Sequence, residues 1–190
     1  MIKAIVFDCF GVLVGKGIWH SYTMAGGDAV KDAAYIDEVL ERANGGLIDD
    51  KECSSLLSGR LGISEAEWHD IKQREEQPDE ELFTYIRTML KPKYKIGLLS
   101  NVASGVIDLK IPADLRSVFD AEVLSADSGV QKPDPRVYTL MADRLGVACS
   151  EMVFTDDQAR YLPAAQELGI CVIQYHGLDQ FKIKLDQILR

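Results

Sequence analysis

The stretch IKAIVFDCFGVLV, Ile2–Val14, begins with an apolar run that stops at a carboxylate, Asp8. Three later runs behave in the same way. Ile96–Leu99 stops at Ser100, Ala121–Leu124 leads into a loop carrying Lys132, and Met152–Thr155 stops at Asp156 and Asp157. Short apolar runs separated by helical patterns read as buried parallel strands. Ligands of an open parallel sheet bind beyond the carboxyl ends of its strands. One fold therefore gathers Asp8, Ser100, Lys132, Asp156 and Asp157 at a single edge.

Outward from that stretch, Gly11 marks a turn and Val12–Val14 is a second apolar patch, with Gly15 and Gly17 marking a hinge. From Ile18 to about Asp79 the spacing is helical and no strand is evident. Asp32–Arg42 places Ala33, Ile36, Val39 and Leu40 on one face, and Asn44-Gly45-Gly46 stops that helix. Asp49 or Asp50 caps the next helix. Ser64 followed by Glu67 fits a capping box ahead of Trp68 and Ile71. Asp79 caps a helix that turns Leu82, Phe83, Ile86, Met89 and Leu90 inward, closed by Pro92.

Lys93–Leu99 is then the second strand, and Ala121–Leu124, after a loop region around Pro112, the third. Met152–Thr155 and Cys171–Gln174 complete five strands. Helices over Pro135–Leu145, Pro163–Leu168 and Phe181–Leu189 alternate with them. The alternation predicts an α/β fold with a right-handed parallel sheet. Residues 1–15 and 80–190 form its core, and 16–79 a small helical insert.

The chain has 190 residues, 21 Lys+Arg against 30 Asp+Glu, and a formal charge of −9. No basic block stands out, which argues against nucleic acid as a partner. Apolar runs are far too short for a membrane span, and the first residues lack a secretory pattern. Cys9, Cys53, Cys149 and Cys171 are widely spaced with no CxxC pair, which reads as reduced thiols of a cytoplasmic protein. Cys9 points away from Asp8 across the strand, into packing. The sequence leaves monomer and homodimer open.

The gathered residues suit phosphoryl chemistry. A carboxylate at a strand end can attack phosphorus. Carboxylate and phosphate repel, so a divalent cation is needed, and Mg²⁺ takes carboxylate and carbonyl oxygens. Asp8, Asp156 and Asp157 can supply that set, with a main-chain carbonyl from the turn after Asp8. Ser100 can donate to a phosphoryl oxygen, and Lys132 can neutralise charge on the transferring group. Each residue alone has an ordinary role as turn, surface charge or helix cap. Their joint placement at strand ends does not.

The segments FDCFGVL (Phe7–Leu13), LLSN (Leu98–Asn101), GVQKPDP (Gly129–Pro135) and VFTDD (Val153–Asp157) resemble the four ordered motifs of the haloacid dehalogenase-like hydrolases. GLIDDKECSSLLSGRLGIS, Gly46–Ser64, is similar to the helical cap of the subgroup whose cap lies between the first two motifs. The resemblance implies a Rossmann-like five-stranded core with a helical cap that excludes water and selects substrate. It implies Asp8 as nucleophile, Ser100 as phosphoryl ligand and Lys132 as the cation steadying the nucleophile and the charged intermediate. Asp8, Asp156, Asp157 and the Phe10 carbonyl would hold Mg²⁺, with a small phosphorylated metabolite as substrate. Asn101 is a candidate substrate contact.

Two positions depart from that pattern. Phosphatases of the family usually carry an acid two residues after the nucleophile, where Phe10 stands. Tyr161 stands where related sequences often show Asp or Asn. Three explanations for Phe10 follow: a good leaving group, a substitute proton source such as His20 or His69, or a phosphate binder that has lost turnover. Dehalogenation is a fourth, since the family's dehalogenases place Tyr at that position. Asp156 and Asp157 oppose it, because those enzymes work without metal and lack the late acidic pair. Trp19 and Trp68 read as packing residues, Arg42, Arg60 and Arg74 as solvated helix faces, and His176 as a residue past the last strand.

Overall fold

The computed structural model describes residues 1–190. Its five strands are β1 (Ala4–Phe7), β2 (Lys95–Ser100), β3 (Ala121–Leu124), β4 (Met152–Asp156) and β5 (Cys171–Gln174). All pair in parallel in the order β3-β2-β1-β4-β5. All four β1 side chains are buried, as expected of a central strand covered on both faces. Ala4 and Val6 face α9 (Pro135–Leu145) and α10 (Leu162–Glu167), while Ile5 and Phe7 face the opposite side. The alternation is the two-residue period of a strand.

Strand order reverses direction on either side of β1, which opens a crevice at its carboxyl end. Register then places the chemistry. Phe7 lies opposite Leu98 on β2 and Thr155 on β4. Asp8 therefore stands level with Asp156, and Ser100 one residue further along β2.

The insert consists of α1 (Gly17–Met24), α2 (Ala33–Asn44), α3 (Asp50–Leu61) and α4 (Glu65–Glu75). Asp49 caps α3 by accepting from the Glu52 N–H at 2.8 Å, and Ser64 caps α4 by accepting from Glu67 at 3.1 Å. Caps of this kind stabilise a helix by about 1 kcal/mol each. Ile36, Val39, Leu57 and Trp68 pack into the same apolar cluster as Phe7 and Leu13. The apolar core of the insert is thus continuous with the cluster on one side of the sheet. Its two linkers are stitched together, with Gly15 N donating to Gln77 O at 3.0 Å and Asp79 N to Leu13 O at 2.9 Å. A Cβ on Gly15 would stand 1.9 Å from the Glu75 carbonyl oxygen, so only glycine fits there.

Several details differ from expectation. The helix capped by Asp79 is α5 (Glu80–Tyr85), and it continues as a π-turn over Ile86–Leu90, with Lys91 N bonded to Ile86 O. The extra residue per turn leaves Ile86 and Leu90 buried but swings Met89 out, half exposed. Lys93 and Tyr94 still bond back to Leu90, so β2 starts only at Lys95. The region around Pro112 folds into α6 (Val106–Lys110) and α7 (Ala113–Arg116). A single turn, α8 (Ser125–Ser128), follows β3, and α11 (Leu178–Leu189) closes the chain. Val12–Val14 is a turn held by bonds to Cys9 O.

Candidate active site

Lys132 lies at the centre of the sheet edge. Its Nζ stands 2.7 Å from Asp8 Oδ1 and 2.6 Å from Asp156 Oδ2, and the three side chains are almost fully buried. Asn101 holds Lys132 there. Its amide donates to the Lys132 carbonyl at 2.9 Å, and its Oδ1 accepts from the Lys132 N–H at 2.8 Å. The Tyr161 ring lies 4.9 Å from Nζ and the Phe154 ring 5.6 Å, both within cation–π range. Tyr161 is itself fixed, since its carbonyl accepts from the Tyr138 hydroxyl at 2.6 Å.

Charge is unevenly matched in this pocket. Burial pushes the Asp8 carboxyl up to about 7, with Lys132 opposing and the Asp156 charge adding. Burial, then Asp156, raises Asp157 as well. For Lys132, burial disfavours the ammonium, yet the two carboxylates outweigh it and hold its pKa above the usual lysine value. One lysine thus serves three carboxylates.

The acidic cluster fits a hard divalent cation. Carboxylate oxygens of Asp8, Asp156 and Asp157 lie within 4.8 Å of one another. Asp157 Oδ1 is buried with no hydrogen-bond partner, an unmet demand that a cation satisfies. The Asp157 carboxylate is seated against Gly11, where a Cβ would stand 2.4 Å from Oδ2 and φ is +83°. Asp156 is more committed: Oδ1 accepts from the Gln158 N–H at 2.8 Å and Oδ2 from Lys132.

A cavity of about 540 Å³ lies between this edge and the insert, within the usual range for small-molecule sites. Asp8, Phe10, Ser100, Asn101, Lys132 and Asp157 line it from the sheet side, and Trp19 and Leu40 from the insert. Ser100 is buried, and its hydroxyl makes no hydrogen bond within the protein. His20, His69 and His176 do not line the cavity, and His20 instead pairs with Glu75 at 3.3 Å. Arg42, Arg60 and Arg74 pair with Glu52, Asp32 and Glu75 outside it. Trp68 is fully buried in the insert, whereas Trp19 faces the cavity.

The profile of the haloacid dehalogenase-like hydrolases matches residues 2–169. The chain belongs to that family. It is 33% identical to pig (Sus scrofa) bifunctional epoxide hydrolase 2 over 98% of its length, and spans 39% of that protein. It is 25% identical to (S)-2-haloacid dehalogenase 4A of Burkholderia cepacia, over 91% of this chain and 82% of that one. Among solved structures, a haloacid dehalogenase-family enzyme of Bacteroides thetaiotaomicron, complexed with magnesium and inorganic phosphate, superposes with a TM-score of 0.73. Identity there is 22%, covering 96% of this chain and 99% of the other, which supports the shared fold.

Sequence reasoning located the strand-end residues but missed how they are held. Nothing in spacing says that the Asn101 amide is spent on the Lys132 backbone rather than facing a ligand. Tyr161, flagged only as a departure, is the aromatic floor beneath Lys132.

Proposed function

We propose that this family member is a metal-dependent phosphatase acting on a small phosphorylated metabolite, with residues 16–79 as its cap. The observation that carries the reading is Lys132 bridging Asp8 and Asp156 beside the unpartnered Asp157 oxygen. Asp8, Asp157, the Phe10 carbonyl and the second lone pairs of Asp156 would hold Mg²⁺. When bound, the ion supplies positive charge that lets an anionic phosphoryl group approach three carboxylates.

The chain's own residues account for the remaining steps. Asp8 attacks phosphorus, the ester oxygen leaves, and an aspartyl-phosphate forms. Ser100 donates to a phosphoryl oxygen, and Lys132 offsets the charge gathering on the transferring group. The insert covers the site, with Ile18, Trp19 and Leu40 as its apolar lining, and limits the access of water. Phe10 offers neither a proton to the leaving oxygen nor a base for the attacking water. General acid–base help is worth about 10²- to 10⁴-fold, so turnover is slow or confined to esters with good leaving groups.

Dehalogenation is the second reading, favoured by Phe10 and by the Burkholderia relative. Attack of Asp8 on the carbon of a haloacid must then tolerate two further carboxylates within 4.8 Å of the nucleophile, which repel that anion. Loss of turnover with retained phosphate binding is the third. A panel of phosphate esters with Mg²⁺ tests all three. Hydrolysis abolished by Asp8→Asn supports the phosphatase. Halide release from small haloacids without phosphate release overturns it, as does ligand binding with no ester hydrolysed.

A further inference from the structure

Lys72 is a buried cation that the chemistry above does not use. It lies on α4 in the insert, its side chain 5% exposed, yet it lines the same cavity as Asp8. Its Nζ donates to Asp50 Oδ1 at 2.8 Å and, at a longer 3.4 Å, to Ser54 Oγ. An ammonium carries three protons, so at least one has no acceptor in the protein. Asp50, at the start of α3, lines the cavity beside it and keeps an oxygen that Lys72 does not occupy. The pair thus presents a donor and an acceptor to one ligand atom.

Charge around the cavity decides which atom fits. Asp37, Asp50 and Glu76 all line the insert side, and Glu76 is already neutralised by Lys110 at 2.7 Å. The other lining cations of the insert and rim, Lys16 and Arg160, are exposed. A second anionic group on the substrate would meet two carboxylates for one buried lysine. A hydroxyl, in contrast, accepts from Lys72 and donates to Asp50. Ile18, Trp19 and Leu40 supply apolar wall for the carbon chain that carries it.

We propose that Lys72 and Asp50 form a specificity subsite for a hydroxyl on the leaving alcohol. The substrates are then monophosphates of alcohols that bear a second hydroxyl beyond an apolar stretch. This rests on the phosphatase reading for the anionic end of the ligand.

The test reads binding rather than turnover. Wild-type protein with Mg²⁺ is titrated calorimetrically with ω-hydroxyalkyl phosphonates and with n-alkyl phosphonates of matching length. At one chain length the hydroxyl is expected to tighten binding about tenfold or more, as a bond to a charged group does. Lys72→Met brings that preference to within about twofold, Lys72→Arg keeps part of it, and Asp50→Asn lowers it while leaving the lysine in place. Binding of both series with no hydroxyl preference overturns the subsite and leaves the phosphatase reading standing. An undiminished preference in Lys72→Met or Asp50→Asn also overturns it, because the pair then only ties α3 to α4. No binding by either series overturns the subsite, while ester hydrolysis measured separately reports on the phosphatase.

Discussion

Lys132 and Phe10 are the two side chains on which the proposed chemistry turns, and each gives a sharp expectation. Lys132 is the one buried cation against Asp8 and Asp156. Lys132→Met leaves both carboxylates unpaired, and breaking a buried pair from one side costs about 3–5 kcal/mol. We expect denaturant unfolding without Mg²⁺ to show a loss of that size; a loss under about 1 kcal/mol would mean the carboxylates are solvated. Phe10→Asp places an acid two positions from Asp8, the proposed nucleophile. Hydrolysis of an aryl phosphate should rise at least about tenfold. No gain in a folded variant that binds Mg²⁺ places the limiting step elsewhere. These residues were legible from sequence because each ends or follows an apolar run. Asn101 was legible only as a position, since its amide could face ligand or backbone with the same spacing, and the fold chose backbone.

At the scale of elements, the insert and its linkers carry the next two expectations. Gly15 is packed against the Glu75 carbonyl, and backbone cannot yield as a flexible side chain does. Gly15→Ala should lower stability by about 1–3 kcal/mol, the usual cost of overpacking; unchanged thermal unfolding would show that the linkers separate freely. Just before α2, Asp32 accepts from Arg60 and from the Tyr22 hydroxyl at 2.7 Å. Those bonds, the Arg60 ones first, hold its carboxyl below the usual range. A carboxylate depressed on folding contributes stability above its unfolded pKa of about 3.9 and loses it as pH falls through the folded value. The deficit of Asp32→Asn should therefore be full near neutrality and shrink in acid. A deficit independent of pH would assign it to lost packing. Sequence patterns found the insert's helices through their caps, Asp49 and Ser64, but missed the π-turn that exposes Met89. A helical period of 3.6 cannot register one extra residue in one turn.

For the whole molecule, the candidate site follows from topology: the reversal at β1 turns residues far apart in sequence into neighbours at one edge. That part was readable because buried parallel strands leave a strong apolar signature. The cavity was not, since it depends on how a helical insert settles over the sheet. Lys72 carries no signal of its own in the sequence, and it is buried only because α3 and α4 enclose it. The central claim is that Asp8 and Asp157 share a divalent cation beside a phosphoryl site. Crystals grown with Mn²⁺ and inorganic phosphate test it through the anomalous signal of the metal. One peak is expected between the Asp8 and Asp157 carboxylates, with phosphate against Ser100 and Lys132. No anomalous peak there, or the two carboxylates turned apart, would contradict it.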